Sequence, residues 1–412
     1  MSTSPDPVTS LILLIGGLVA VATVLRVLLD RTHFPALVSF MALGMLLRAA
    51  DEKWHLLSEQ GDYALELLAE LGIIVLLFRI GLESDLSSLR KQLGPASLVW
   101  AGNVALSGVP TYAVMTMVLG YGQIPSLIAA VALTATSIGV SLGMWRQQDA
   151  LKSREGQLLT DVAELDDLSG IVLMALVLAV VPVLRDAGDA GHASLLQPLT
   201  STGALLLAKF GVFAGSCVAF ARYGEERLTL AFKRNASEPE LMVLVAGIAI
   251  LIAGFAAWLG FSAALGALFA GLAFSRDPEA VHIDAGFGGL HHLLAPFFFI
   301  GIGLALDPGA LGSALGVAAL LGVVAIAGKI LGAGLPALFL TGWSGAALIG
   351  VSLVPRAEIT MIVMERGRQL GDWAVPPDLY AAFIAVSALT CILSPIALRA
   401  LFGRMTPDPK DA

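Results

Sequence analysis

The chain has 412 residues, 57% of them hydrophobic and 14% charged, with a formal net charge of −8. Together with a mean hydropathy of +0.85, that composition excludes an ordinary soluble domain and indicates an integral membrane protein embedded in a lipid bilayer. The acidic balance gives no reason to expect a nucleic-acid partner, and two cysteines in apolar runs, Cys217 and Cys391, imply neither a disulfide framework nor a thiolate metal cluster.

Residues 1–10 are polar and contain no Lys or Arg. They lack the basic start of a cleaved signal peptide, so the first helix is expected to be retained. About 20 apolar residues cross the hydrocarbon core of a bilayer. On that ruler the sequence predicts an all-α membrane protein of thirteen transmembrane helices. They fall at 9–29, 34–49, 63–82, 95–119, 123–145, 158–184, 199–221, 239–258, 260–275, 285–306, 312–340, 344–365 and 378–402. One set of alternate loops is rich in basic residues, among them Arg90, Lys91, Arg146, Lys152, Arg154, Arg222, Lys233 and Arg234. The other set holds only Arg48, Lys53, Arg185, Arg366 and Arg368. The basic side is cytoplasmic, which puts the N-terminus outside and the C-terminus in the cytoplasm.

Thirteen helices divide into two six-helix halves joined by the seventh. An odd link inverts the second half relative to the first, and in such architectures substrate sites form between repeats near the midplane. Two matching irregularities support the division. The fifth helix carries Thr134-Ala135-Thr136-Ser137, and the twelfth, its counterpart, carries Ser352-Leu353-Val354-Pro355-Arg356-Ala357-Glu358. Irregular backbone at membrane depth survives only where it meets protein or lines a cavity. Both runs are therefore expected to be breaks whose half-helices face each other. Thr134, Thr136 and Ser137 offer hydroxyls and carbonyls, hard oxygen ligands that suit Na+ or K+. Arg356 and Glu358, next to Pro355, are placed to neutralise the opposed half-helix dipoles. Alone, the Thr134 run fits a hydroxyl-rich packing face equally well; the Pro355 run in the matching position favours the break.

The sixth helix carries Asp166 and Asp167. It starts near Leu158 on the cytoplasmic side, which puts both acids roughly 12 Å deep at 1.5 Å per residue. Carboxylates at that depth are costly and mark a functional site by default. Neighbouring helical residues point about 100° apart, so one acid can face a partner while the other faces a water-filled cavity. An acid balanced between its charged and neutral forms by burial and by its neighbour can hold either a proton or a cation. Lys329, deep in the eleventh helix, needs a counter-charge from another helix, and a buried amine can itself carry a proton. Lys209, in the otherwise uncharged seventh helix, fits a snorkelling lysine better.

Seven strings in one order, spread over almost the whole chain, carry a resemblance. They are Leu68-Ala69-Glu70-Leu71-Gly72, Leu77-Phe78-Arg79-Ile80-Gly81-Leu82-Glu83, Thr134-Ala135-Thr136-Ser137, Asp166-Asp167, Leu259-Gly260-Phe261 with Gly266-Ala267, Pro296-Phe297-Phe298-Phe299, and Pro355-Arg356-Ala357-Glu358. Together they resemble the monovalent cation:proton antiporter-2 family, in particular its NapA-like sodium/proton branch. The resemblance implies that Asp167 binds the cation and exchanges it for protons, while Asp166 pairs with Lys329 and is released when the ion binds. It implies transported Na+, Li+ or K+ and H+, no cofactor, and a homodimer in the bacterial inner membrane. Residues 1–94 and 239–311 would form the dimer scaffold. Residues 95–198 and 312–412 would form a core that slides in an elevator-like step, with 199–238 as linking helix and cytoplasmic loop. The double Asp with a Lys resembles the electrogenic members. Ala357 stands where the family usually has Gly, and Arg79 where it usually has an apolar residue. Potassium-efflux relatives usually add a nucleotide-binding domain; none follows the last helix here, which favours the sodium branch.

Other classes fit less well. An intramembrane aspartyl protease needs carboxylates that face each other from different segments, whereas adjacent ones on a helix diverge. A channel needs a continuous pore lined by rings of selectivity groups; the inverted halves and the buried lysine point to alternating access instead.

Overall fold

The computed structural model describes residues 7–29, 35–83, 94–189, 196–224, 227, 238–275 and 280–405. Of the basic residues behind the expected orientation, Arg31, Arg90, Lys91, Lys233, Arg234, Arg276 and Lys410 lie outside them.

Every regular element among the described residues is a helix, with no strand. In chain order the helices are α1 (Pro7–Leu29), α2 (Ala36–Trp54), α3 (Glu59–Glu83), α4 (Pro95–Ala113), α5 (Gln123–Thr134), α6 (Ile138–Gln147) and α7 (Arg154–Asp189). Then come α8 (Leu196–Ala219), α9 (Glu238–Trp258), α10 (Ala263–Phe274), α11 (Ala280–Leu304), α12 (Leu311–Ser352), α13 (Glu358–Leu370) and α14 (Pro377–Met405). Among the described residues, six helices are long and apolar enough to cross a membrane: α1, α4 with its π-helical extension, α9, α11, α12 and α14. Thirteen spans were expected; α5, α6 and α13 are half-helices, α10 is 12 residues long, and α2 and α3 carry several charges.

Residues 312–340 and 344–365 were expected as separate helices, and α12 is two helices joined at Gly342, where the backbone is not helical (φ 72°, ψ −176°). A positive φ costs glycine little, so the chain turns there from one helix into the next. The interruption falls further on, at residues 353–357.

The chain divides into two compact units, Met1–Asp85 with Leu205–Leu306, and Leu86–Ala204 with Asp307–Ala412. In the first, α3 packs on α10 and α11, and α2 packs on α11. The contacts are backbone to backbone. A Cβ on Gly81 would lie 2.3 Å from the Leu268 carbonyl oxygen, and one on Gly271 would lie 2.1 Å from that of Phe78. Only glycine admits so close a crossing, and in apolar surroundings such van der Waals contact drives helix association. Phe78 then closes the gap against Phe274 and Phe287, with ring centroids 6.1 and 4.8 Å away.

In the second unit α12 lies between α4 and α14, and α5 touches α4, α7 and α13. Its apolar core gathers Val99, Trp145, Leu159, Val162, Ile349 and Leu398. Trp145 meets Phe402 edge to face, with centroids 5.2 Å apart. This unit contains every residue singled out above as a candidate for chemistry.

Candidate functional site

Two interruptions meet in the second unit. After α5 the backbone is extended at Ala135 (φ −66°, ψ 150°) and Ser137 (φ −109°, ψ 96°) before α6 begins. After α12 it leaves the helix until α13. The Ser137 N–H donates to the Pro355 carbonyl at 2.9 Å. On one side of this junction α5 lies along α13, where the Thr360 hydroxyl donates to the Ala132 carbonyl at 2.9 Å. On the other, α6 is tied to the end of α12: Ser141 Oγ donates to the Ser352 carbonyl at 2.6 Å, and Trp145 Nε1 to Ser352 Oγ at 2.8 Å.

A helix end leaves its last carbonyls without intrahelical donors. At α5 they are met from outside. Lys329 Nζ donates to the Thr134 carbonyl, and Arg356 Nη1 to the Ala135 carbonyl at 2.7 Å. Two cations thus sit at the negative end of the α5 dipole, the favourable polarity. Glu358 stands in the first turn of α13, the positive end of that dipole, and accepts the Ser137 hydroxyl. The second interruption is held by α14. Ser387 Oγ and Cys391 Sγ donate to the Arg356 carbonyl at 2.6 and 3.2 Å, and the Arg356 N–H donates to Thr390 Oγ1 at 3.2 Å. Ala357 takes φ −143° and ψ −101°, outside the left-handed region.

Asp166 of α7 and Lys329 of α12 form an ion pair of 3.1 Å, both side chains 0% exposed. Lys329 has three protons, and each has an acceptor: the Thr134 carbonyl, Thr136 Oγ1 at 2.7 Å, and Asp166 Oδ2. Asp166 Oδ2 also accepts the Thr136 hydroxyl, while Oδ1 accepts Asn103 Nδ2 of α4 at 2.9 Å. A buried pair holds against its desolvation cost when the remaining donors and lone pairs are satisfied in this way. Ser169 steadies the α7 turn, its hydroxyl donating to the Asp166 carbonyl at 3.0 Å and accepting Trp100 Nε1 at 2.8 Å. Asp167, half-buried, follows directly.

The structure therefore gathers Thr136, Asp166 and Lys329 into one network, with Asp167 adjoining it. Pro355, Arg356 and Glu358 lie at the junction of the breaks. The three predicted hydroxyl ligands separate. The Thr134 hydroxyl is spent on the Val131 carbonyl of its own helix at 2.7 Å, Thr136 joins the carboxylate to the ammonium, and Ser137 turns to Glu358. Arg356 is fully buried, and its Nε and Nη2 have no hydrogen-bond partner among the described residues. Asn103, Ser387 and Thr390 went unrecognised in the sequence. Their signal is polar side chains at helical spacing in apolar runs: Asn103, Ser107 and Thr111 on α4, and Ser387, Thr390 and Ser394 on α14.

Comparison with known proteins covers nearly the full length. The sequence profile of a family described as sodium/hydrogen exchanger, transmembrane, matches residues 17–403. The chain is 30% identical over 402 residues to the high-affinity Na+/H+ antiporter NhaS3 of Synechocystis sp., covering 94% of this chain and 83% of that protein. It is 26% identical to the Na+/H+-K+ antiporter GerN of Bacillus cereus (90% of each chain). It is likewise 26% identical to the K+/H+ antiporter subunit KhtU of Bacillus subtilis (93% of this chain, 92% of that one). In fold it is similar to the sodium proton antiporter MjNhaP1 of Methanocaldococcus jannaschii, with a TM-score of 0.69 over 97% of this chain and 98% of that one, at 14% identity.

Proposed function

The chain belongs to the sodium/hydrogen exchanger family, and we propose that it exchanges Na+, or Li+ in its place, for protons by an electrogenic, elevator-like alternation. It is an integral membrane cation:proton antiporter, a transporter rather than an enzyme. One observation carries the finer reading: a fully buried carboxylate–ammonium pair, Asp166 with Lys329, sits where two helix breaks meet, next to a second carboxylate.

In this reading Asp167 takes the cation. While no cation is bound, the charge of Asp166 is balanced by Lys329, Thr136 and Asn103. An arriving cation competes with the ammonium for the Asp166 carboxylate and for the oxygens of the α5 break. Once Lys329 loses its counter-charge it loses its reason to stay protonated, so a proton leaves it as well as Asp167. More than one proton then moves for each cation, and the exchange carries net charge.

The division into two compact units supports a moving core built on Leu86–Ala204 with Asp307–Ala412. The other unit serves as the scaffold of a homodimer in a bacterial inner membrane, with the N-terminus outside. Two inverted six-helix repeats draw support from matched crossings in that unit: Gly44 with Gly303 joins α2 to α11 as Gly81 with Gly271 joins α3 to α10. Exchange of K+ for protons is the second reading, favoured by the potassium named among the activities of two relatives.

The test is a proteoliposome assay with an internal pH dye, titrating Na+, Li+ and K+ with and without a valinomycin clamp. Proton movement driven by Na+ and accelerated by the clamp is expected. Movement driven by K+ alone would replace the sodium reading, and cation flux without proton counterflow would overturn exchange.

A further inference from the structure

We propose that Asn103 Oδ1 and Ser107 Oγ on α4 form a neutral oxygen subsite for the transported monovalent cation, next to the Asp166–Lys329 pair. The proposal deepens the exchange reading above and rests on it. Both side chains are fully buried, and neither oxygen has a hydrogen-bond partner among the described residues. Buried polar atoms are almost always satisfied, so two orphans one helical turn apart require an account.

The amide of Asn103 has no choice of orientation. A carboxylate paired with an ammonium only accepts hydrogen bonds, so Asn103 must turn Nδ2 toward Asp166, at 2.9 Å. Its Oδ1 is thereby left open as an acceptor. Ser107 does have a choice. A buried helical hydroxyl can donate to the carbonyl four residues back, as Thr111 does to Ser107 at 2.6 Å and Thr390 to Val386 at 2.8 Å. Ser107 makes no such bond. Lys329 does not serve either oxygen, since all three of its protons are committed.

Helix packing puts these oxygens level with the pair. Helix α4 crosses α12 at Gly328 and Gly332, which bracket Lys329 in sequence. A Cβ on Gly328 would lie 2.6 Å from the Leu106 carbonyl oxygen, and one on Gly332 would lie 3.0 Å from Asn103 Cα. No described group meets the two oxygens, which leaves them open to a ligand from outside the protein. Neutral acceptors next to a carboxylate suit a hard cation, which they can compensate for part of its lost hydration shell.

Ser107→Ala is the clean test, because the hydroxyl removed has no hydrogen-bond partner among the described residues. The full-length protein would be assayed in proteoliposomes for the apparent KM of Na+ at fixed pH, and in detergent for its Na+-dependent thermal shift. We expect an apparent KM raised about tenfold, the loss of one ligand, a smaller Na+ shift, and an unchanged Tm without Na+. Ser107→Thr, which keeps the hydroxyl, restores the KM, and Asn103→Leu raises it with a loss of Tm besides. An unaltered KM and Na+ shift in Ser107→Ala overturns the proposal, whether or not the Tm without Na+ falls; the hydroxyl then serves packing or a buried water. Failure of the exchange reading is seen separately, as wild-type vesicles that move no protons under a Na+ gradient.

Discussion

Ser137 and Pro355 share a main-chain hydrogen bond of 2.9 Å that joins one helix interruption to the other. Each break thus supplies part of what the other lacks. Pro355 has no N–H to orphan, and its carbonyl receives the donor exposed where α6 starts. The carbonyls exposed where α5 stops go to Lys329 and Arg356. The charged groups are held by backbone that could not remain open in an apolar setting without them, so disturbing a charge should disturb the fold.

Lys329→Ala puts that coupling to the test. It strands the Asp166 carboxylate with only Thr136 and Asn103 and removes the donor to the Thr134 carbonyl. Breaking a buried pair from one side costs about 3–5 kcal/mol, which should appear as a clearly lowered Tm in detergent. Lys329→Met combined with Asp166→Asn should recover most of that loss, because neither charge is then left alone. A thermally normal Lys329→Ala protein would contradict the pairing.

Part of this site was legible in the sequence because charges in apolar runs stand out. Asp166, Asp167, Lys329 and Arg356 are few, and burial makes each of them expensive. The interruptions were legible as polar runs, and the structure puts breaks at both. Asn103 and Thr390 were not, since an amide or hydroxyl inside an apolar helix is equally a packing residue until its partner is known. The boundary at Thr341-Gly342-Trp343-Ser344 was legible for a related reason: its loop-like composition coincides with a glycine whose backbone leaves the helix.

Asp167→Asn should abolish cation-driven proton movement in proteoliposomes while the protein still folds. Asparagine keeps the shape and most of the hydrogen-bonding capacity of aspartate, but it neither binds a proton nor offers a charge to the cation. Near-normal activity would remove Asp167 from the site. Asp166→Asn should instead shift the pH dependence or cause severe loss, because it frees Lys329 from its counter-charge.

Outside the membrane-spanning segments, the Tyr121 hydroxyl donates to Asp378 in the first turn of α14. Burial first, and the Asp378 carboxylate second, raise its pKa well above the usual value, which for tyrosine is about 10. Ionised Tyr121 could not donate and would repel Asp378. A raised pKa means stability that is fully present below the unfolded value and is lost as pH climbs through the folded one. Tyr121→Phe should therefore cost about 1 kcal/mol at neutral pH, for a partly exposed bond to a charged group. The gap between wild type and variant should hold up to about pH 10 and narrow beyond it. Thermal melts across pH would show this, and a gap that widens above pH 10 would refute the assignment.

The α14 hydroxyls that hold the second break should not be equivalent. Thr390→Val preserves shape but removes the only described acceptor of the Arg356 N–H, and a buried donor left unpaired costs about 1–3 kcal/mol. Ser387→Ala removes one of two donors to the Arg356 carbonyl, leaving Cys391 Sγ at 3.2 Å in place. Its cost should stay near the net value of a single bond, about 0.5–1.5 kcal/mol. Thr390→Val should therefore lower the Tm more than Ser387→Ala, although each deletes one hydrogen bond to the break. Hydrogen exchange resolves the same contrast locally, because the Arg356 amide should lose protection in Thr390→Val and largely keep it in Ser387→Ala. The reverse order would mean that the break depends on its carbonyls more than on its amide.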